Sequence, residues 1–270
     1  MSFCKSCGRE LPSNARFCPS CGSPVADVSS TPAHDHRTFD VSAKPRVVVA
    51  SYAPGKVSVK AGPDGKVEVD LDMGRAEDMD WNVYQQGDLI AVSFRNTSRT
   101  YWSWASHLED GPRADISLTV PKECDLDLEN RLDKVSVVGV QGVIVVNSAV
   151  ASVDVTNCGG SVKVRTKTGS ISLENVNGTV SAETATGQVR YSGSLANAEN
   201  WFRTSIGTIE ISLKGEPDLT VDAHSGVGQV TCTLPLAESR SQGGRVHGRL
   251  GSGTGRLRAE TSTGNIRLGP

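Results

Sequence analysis

Residues 124–195 repeat a nine-residue pattern in frame, eight times. Each unit opens on a residue that is often glycine, and apolar residues follow two and four places later, as in Gly160-Ser-Val162-Lys-Val164. A short fixed period is typical of a stacked array in which each unit buries its apolar face against its neighbours. Such arrays mostly hold, display or assemble other molecules, so the repeat favours a protein that is not an enzyme. The units begin at Cys124, Asp133, Gly142, Ala151, Gly160, Gly169, Gly178 and Gly187.

The corners between these units alternate between two types, which sets a second period of eighteen residues. One type carries a small apolar residue two places before the glycine, and the other carries Thr-x-Thr. One full turn therefore takes two strands. The sequence predicts an all-β fold, a β-solenoid-like stack of short strands with about nine residues per strand and corner and about eighteen per coil. The apolar corner residues are Val140, Cys158 and Val176, and the threonine pairs are Thr166 with Thr168 and Thr184 with Thr186.

An antiparallel meander is the alternative architecture, because its top and bottom turns would also alternate every eighteen residues. Periodicity does not separate the two, but strict identity of the corners favours parallel stacking. In the stack, residues two and four places past each corner point inward and the polar residues between them point outward. The stack would be contradicted by two facing sheets beyond Cys124 or by a deep cleft lined with ionisable groups.

Less regular β sequence flanks the repeat and extends the same β-strand-repeat domain over residues 44–270. After residue 195 the frame slips, yet units at Gly207, Gly228, Gly255 and Gly264 keep the motif. The insertions 195–201 and 238–244 are expected to be loops. Residues 24–43 are rich in Pro, Ser, Asp and His without an apolar period, which predicts a flexible linker.

Four cysteines in residues 1–23 carry the strongest chemical signal: Cys4-x2-Cys7-x10-Cys18-x2-Cys21. Two Cys-x-x-Cys-Gly knuckles supply four thiolates in a tetrahedron, which suits Zn2+, with iron as the main competitor. The segment is too short for a hydrophobic core, so metal binding must supply most of its folding free energy. Four thiolates leave no open coordination position, and the sequence predicts a structural zinc ribbon that either caps the chain or docks a protein.

No catalytic or cofactor-binding residue is predicted. His34 and His36 fit a solvated linker better than a metal site, and the glycine-rich stretches lack the Lys-Ser/Thr of a phosphate loop. Cys158 and Cys232 fall at inward positions of the repeat. An aromatic cluster is either a cap on the open end of the stack or a binding patch. It comprises Tyr101, Trp102 and Trp104.

The series of Gly-x-Val-x-Val units, the strand ending Leu118-Thr-Val120-Pro121, and the Thr-x-Thr-Gly-x-Ile-x-Leu units together resemble a known group. It is the bacterial "putative adhesin" β-strand-repeat family, also called Toastrack domains, and the resemblance covers about residues 44–270. It implies a β-solenoid-like fold with no assigned catalysis, in proteins that often accompany regulators of envelope stress. The N-terminal cysteines are similar to the short zinc ribbons of many bacterial proteins.

Charge and targeting signals limit the remaining functions. The net charge is -2, acids concentrate in 62–80 and arginines in 237–270, which could favour head-to-tail association, although a solvated surface explains them as well. The chain shows neither a membrane-spanning apolar stretch nor an export signal, so a cytoplasmic scaffold with a protein partner or self-association is predicted, without a small-molecule substrate. Alternatives are a zinc-dependent nucleic-acid-binding regulator, which we disfavour, and a surface adhesin, which requires export.

Overall fold

A computed structural model describes residues 2–3, 9–11, 33–42, 44–74, 76, 79–96 and 113–270. Outside a two-stranded hairpin at the N-terminus, these residues form a twelve-stranded and an eleven-stranded sheet. Within the described ranges we find no helix with the length and apolarity needed to traverse a bilayer.

The strands fall into three groups along the chain. The hairpin comprises β1 (Ser2–Phe3) and β2 (Glu10–Leu11). The N-terminal group comprises β3 (Ala33–Asp40), β4 (Arg46–Ser51), β5 (Val57–Gly62), β6 (Lys66–Gly74), β7 (Met79–Gln86), β8 (Leu89–Asn96) and β9 (Arg113–Pro121). The repeat comprises β10 (Asp125–Leu132), β11 (Val135–Val138), β12 (Gln141–Val150), β13 (Val153–Thr156), β14 (Gly159–Thr168), β15 (Ile171–Glu174), β16 (Asn177–Thr186), β17 (Val189–Gly193), β18 (Glu199–Ile206), β19 (Ile209–Leu213), β20 (Leu219–Val227), β21 (Val230–Cys232), β22 (Ala237–Gln242), β23 (Arg245–Leu250), β24 (Gly255–Thr263) and β25 (Ile266–Gly269).

The repeat winds as a parallel solenoid. Each coil gives one strand to each sheet, so β10, β12, β14, β16 and β18 are neighbours in one sheet and β11, β13, β15, β17 and β19 in the other. All of these neighbouring pairs are parallel, and the register aligns Ile144 with Val162 and Val162 with Val180. The predicted β-solenoid-like stack with two strands per coil is therefore confirmed, and the antiparallel meander is wrong for this region.

The two sheets do face each other, but as the two sides of each coil. The inward residues of both sheets form one apolar core. The two sheets of a solenoid therefore lie face to face, as the two sheets of a β-sandwich do. Facing sheets alone are therefore no evidence against stacking, contrary to the expectation from the sequence. The distinguishing observation is the parallel pairing between coils.

The predicted inward positions are the core. Residues two and four places past the corners are buried through the repeat, among them Ile144, Leu173 and Ile209. The pair after Gly228 is the exception, because β21 is the last strand of its sheet and leaves Val230 and Cys232 half-buried. The apolar corner residues Val140, Cys158 and Val176 are also buried, as the sequence indicates.

The Thr-x-Thr corners form a buried ladder of hydroxyl groups. Thr184 donates to the carbonyl of Gly169, at 3.0 Å, and Thr204 donates to the carbonyl of Gly187, also at 3.0 Å. Thr166, Thr261 and Ser225 make equivalent bonds, so each of these hydroxyls satisfies a backbone acceptor at the corner of the adjacent coil, where the sheet hydrogen bonds are interrupted. The ladder stacks hydroxyl side chains of successive coils over one another. Its members are Thr166, Thr184, Thr204, Thr261 and Ser225. Ser51, Asn130 and Ser148 continue the column of polar side chains at its N-terminal end.

The ends of the stack depart from chain order. β24 lies between β18 and β20, and β25 lies between β19 and β21, so the last coil in sequence is inserted before the one that precedes it. The loop expected at 238–244 is incorrect for most of its length, because Ala237–Gln242 is strand β22. β22 pairs antiparallel with β23, which pairs antiparallel with β20. This hairpin covers the edge that β20 would otherwise expose.

The opposite end is covered in a similar way. β4 lies between β10 and β8, while β7 pairs antiparallel with β8 at the edge of that sheet. In the other sheet β6 and β3 are the final strands, and both pair antiparallel. Part of the predicted linker is therefore strand, because Ala33–Asp40 is β3 and belongs to the stack.

Candidate functional site

The segment predicted to be a zinc ribbon begins with an antiparallel hairpin in which Ser2 pairs with Leu11 and Phe3 with Glu10. The first cysteine pair lies between these strands in sequence, at the place where a zinc knuckle is expected. Cys4, Cys7, Cys18 and Cys21 themselves lie outside the described residues. Their chemistry fits zinc, since four thiolates in two Cys-x-x-Cys pairs complete a tetrahedral shell. A closed shell supplies folding free energy to the segment and offers no position for a reacting water.

His34 and His36 lie on β3, on the outer side of the sheet. His34 Nδ1 is 2.8 Å from Asp72 Oδ1, and His36 Nδ1 is 2.6 Å from Asp70 Oδ1, both on β6. These cross-strand pairs attach β3 to the stack, a role that the linker interpretation missed. The alternation of polar residues in His-Asp-His-Arg-Thr-Phe was the available signal. No group of three or more His, Cys, Asp or Glu side chains in the described ranges is arranged to hold a metal ion.

The attachment of β3 should depend on pH through His36. The hydrogen bond to Asp70 and the charge of Asp70 raise the pKa of His36 above its usual 6.5. Because the pKa of His36 is higher in the folded state, the contact between protonated His36 and Asp70 stabilises β3 fully below about pH 6.5. That stabilisation is lost as pH rises through the higher pKa of the folded state. Hydrogen exchange of β3 amides, corrected for the intrinsic pH effect, should therefore be faster at alkaline pH.

The matched comparison is His36→Gln against His247→Gln at the other end of the stack. We expect His36→Gln to abolish the excess pH dependence at β3, and His247→Gln to leave it unchanged. Equal protection of β3 at both pH values in the unsubstituted chain would contradict the assignment.

Of the three described cysteines, Cys124 and Cys158 are buried in the core and Cys232 is half-buried at the edge of the stack. Burial raises the pKa of Cys124 to about 12 and also raises the pKa of Cys158 and of Cys232. The Cys158 thiol is within 3.3 Å of the Thr156 carbonyl, to which it donates. Nucleophilic chemistry needs the thiolate, so these residues lack the environment of a catalytic cysteine.

An acidic face covers the outer side of β6 and β9 at one end of the stack. We define it by Glu68, Asp70, Asp72 and Asp115, whose strands are held in register by β-pairing of Asp72 with Asp115. Asp72 is the most accessible, with 72% of its side chain exposed. Arg113, which is also on β9, forms an ion pair with Asp115, with 2.8 Å between Nη2 and Oδ2.

An arginine face covers the outer side of the other sheet at the opposite end. It is formed by β18, β24, β20, β23 and β22, and we define it by Arg203, Arg240, Arg245, Arg249, Arg256 and Arg258. Glu199, Asp222, Glu238 and Glu260 are interspersed among these arginines. Trp201 lies on the same face with Arg258 above its ring, 5.3 Å from the centroid. Arginine and tryptophan together are typical of the energetically important centres of protein interfaces.

Two open clefts flank Arg245 on this face. One, of about 380 Å³, is lined by Asp222, Arg240, Gln242, Arg245 and His247. The other, of about 510 Å³, is lined by residues that include Arg203, His224, Arg245 and Glu260. Both are surface depressions between outward side chains, and the core beneath them is filled. The aromatic cluster Tyr101, Trp102 and Trp104 lies outside the described residues.

Comparison with known proteins identifies both parts of the chain. Residues 144–269 match the family model Toastrack DUF4097. This stretch is similar to Toastrack domains. Residues 3–25 match the model of a zinc-ribbon domain. The resemblance inferred from the glycine-valine repeat and from the cysteine spacing is thus confirmed. The Toastrack match covers β12 to β25, a shorter range than the residues 44–270 over which the resemblance was inferred. A search of curated proteins returns no match.

Solved structures similar to this chain include two from bacteria. A "putative cell adhesion protein" from Clostridium sporogenes ATCC 15579 is 10% identical and covers 88% of this chain and 99% of its own, with a TM-score of 0.33. A "putative adhesin" from Bacteroides fragilis NCTC 9343 is 10% identical and covers 88% of this chain and 98% of its own, with a TM-score of 0.36. Scores this low give no basis for transferring a function.

Proposed function

We propose that this protein is a non-enzymatic scaffold, in which a Toastrack solenoid presents rigid outer faces and a zinc ribbon recruits a protein partner. The observation that carries the proposal is the filled interior. Inward side chains of both sheets form one continuous core, and the buried corner threonines are hydrogen-bonded to backbone carbonyls. The polar groups left for function lie on flat outer surfaces, which suit binding better than the enclosed pockets in which enzymes position substrates.

The ribbon is the better candidate for recruiting a partner. Its four cysteines would hold Zn2+ as a structural ion and give a small, rigid surface at the end of a tether. The tether is shorter than the sequence indicates, since β3 begins at Ala33. A cytoplasmic location is part of the proposal, supported by cysteines spaced for zinc and by the free thiols of Cys124, Cys158 and Cys232. Cell fractionation tests it, and recovery of the protein outside the cell would favour an adhesin.

The double variant Cys4→Ser with Cys7→Ser tests the ribbon. We expect bound zinc to fall from about one ion per chain to none, because two thiolates cannot close the tetrahedron. Elemental analysis of the purified protein measures this. We also expect the variant, immobilised beside the unsubstituted chain, to lose capture of the protein partner from a lysate.

Cys232→Ser is the matched control, since it removes a half-buried thiol at the edge of the stack and leaves the ribbon unchanged. It should retain both zinc and partner. Capture that persists without zinc would move the recruiting surface from the ribbon to the solenoid. A turnover activity that a single polar substitution abolishes would overturn the scaffold itself.

A further inference from the structure

We propose that copies of this protein associate head to tail, with the acidic face of one copy docked on the arginine face of the next. This goes beyond the scaffold role proposed above and does not depend on what the ribbon recruits. The first argument is charge complementarity. Glu68, Asp70 and Asp72 form the centre of one face, and the other face presents six arginines beside two histidines, His224 and His247.

The placement of the two faces determines the kind of assembly. The acidic face is on the sheet that contains β9, and the arginine face is on the sheet that contains β18, so they point in opposite directions. They are also at opposite ends, separated by six inter-strand steps from β9 to β19, or about 29 Å at about 4.8 Å per step. One partner cannot contact both faces of the same rigid stack. A two-fold dimer is therefore excluded for this contact, and repetition gives a head-to-tail series of copies, either open or closed into a ring.

The chemistry of the arginine face suits carboxylates. Arg245 lies between the two clefts and is 3.4 Å from Asp222, a long contact that leaves guanidinium donors available. Arg240 makes no ion pair with any described residue. An incoming aspartate can accept two parallel hydrogen bonds from one guanidinium group. A lysine ammonium group cannot form this bidentate pair with a carboxylate. The side chains of Asp70 and Asp72, two residues apart on β6, would enter the neighbouring clefts.

A second copy fits this face better than a nucleic acid. Glu199, Asp222, Glu238 and Glu260 are distributed among the arginines, and each would repel a phosphate backbone. On a protein partner the same carboxylates can meet cations. The acidic face supplies these, since Arg113 lies beside Asp115 and His34 and His36 line its edge. Both faces are therefore mixed in charge with opposite excess, which is how protein surfaces select one orientation.

Sedimentation velocity of the full chain at increasing concentration tests the proposal. At about 10 mM salt, where the Debye length is about 30 Å, we expect the average mass to rise steadily beyond a dimer. At about 1 M salt, where it is about 3 Å, we expect monomer. A monomer at every concentration in low salt, or a mass that stops at dimer, would overturn the head-to-tail chain.

Variants that neutralise one face identify the contact. Asp70→Asn with Asp72→Asn neutralises two of the four carboxylates that define the acidic face, and Arg240→Gln with Arg245→Gln neutralises the centre of the arginine face. Each alone should weaken association about ten-fold or more. A mixture of the two variants should form 1:1 dimers and nothing larger, because each supplies the face that the other lacks. Failure to complement would contradict the pairing of these faces.

Lys163→Gln with Arg165→Gln is the matched control, since both side chains are exposed on the outer side of β14 in the middle of the stack. This control should associate as the unsubstituted chain does. Loss of association in the control would show that total charge, and not the two faces, drives the assembly. Zinc content should be unchanged in every variant, so the outcome is independent of the ribbon.

Discussion

Deleting residues 253–270 is expected to unfold the C-terminal end of the stack and not merely to shorten it. The deletion removes β24 and β25, which lie inside the sheets between β18/β19 and β20/β21. Leu257, Ile266 and Leu268 are buried there, and burying three such side chains contributes roughly 5–9 kcal/mol. A loss of this size is comparable to the whole stability of a typical domain. Strands β20 to β23 would remain attached to the chain and could still pair with one another, but they would lose β24 and β25, the neighbours that join them to the stack.

Hydrogen exchange measures this outcome most directly. We expect amides of β20 and β23 to lose protection completely in the truncated chain, while those of β12 and β14 keep it. Deleting Gly269 and Pro270 alone is the matched control and should leave β20 protected, because the ladders of β24 and most of β25 remain. If β20 kept its protection in the longer truncation, the inserted position of the last coil would be wrong.

Gly187→Ala is expected to destabilise the stack by about 3 kcal/mol or more. Gly187 has a φ of +151°, a conformation that L residues rarely adopt and that costs on the order of 1–3 kcal/mol when they do. An added Cβ would also lie 2.1 Å from the carbonyl oxygen of Gly169 in the adjacent coil. Since that atom belongs to the backbone of another corner, relief of the clash requires the two coils to separate. Substitutions with effects this large come from a small set of mechanisms, of which backbone strain is one.

Gly87→Ala provides the comparison. Gly87 also has a positive φ, of +61°, but an added Cβ meets nothing within 4 Å. We expect it to cost about 1–2 kcal/mol, the conformational penalty alone. Urea denaturation of both variants gives the difference as a shift of the midpoint at constant slope. Equal midpoints for the two variants would show that contact between corners contributes nothing beyond the φ penalty.

The repeat predicted what lies inside each coil but not the order of all coils. Alternation of Val and Ile with polar residues predicts which side chains of β14 and β15 are buried, because the side-chain period of a strand is two. It does not predict that β24 precedes β20 in the sheet. The units after Gly228 and Gly264 are nearly equivalent in sequence, so contacts with the neighbouring coil do not determine which of the two comes first in the stack. The hairpin β22–β23 covers the outer edge of β20, and its exposed strand β22 has no apolar period by which the sequence could place it.

The sequence likewise predicts one candidate site, the zinc ribbon, but not the other, the pair of charged faces. Cysteine spacing predicts the zinc ribbon because ligand geometry is local, and residues within a few positions determine a knuckle. The two charged faces are not local. Asp70 and Asp115 become neighbours through pairing of β6 with β9, and Arg240 comes beside His247 through a hairpin with a register shift. The uneven distribution of acidic residues and arginines along the chain indicated an excess of negative charge at one end and of positive charge at the other. Which sheet carries each face depends on the order of the coils, which the sequence does not give.

Insertion of the last coil also bears on how the protein is made. β20 to β23 leave the ribosome before β24 and β25, yet in the folded stack β24 and β25 lie between them and the earlier coils. The earlier coils can stack as they emerge, since each finds its neighbour already in place. At the C-terminal end, by contrast, assembly must wait for residues synthesised later, and a chain interrupted before Gly255 would display unpaired strand edges to quality-control proteases.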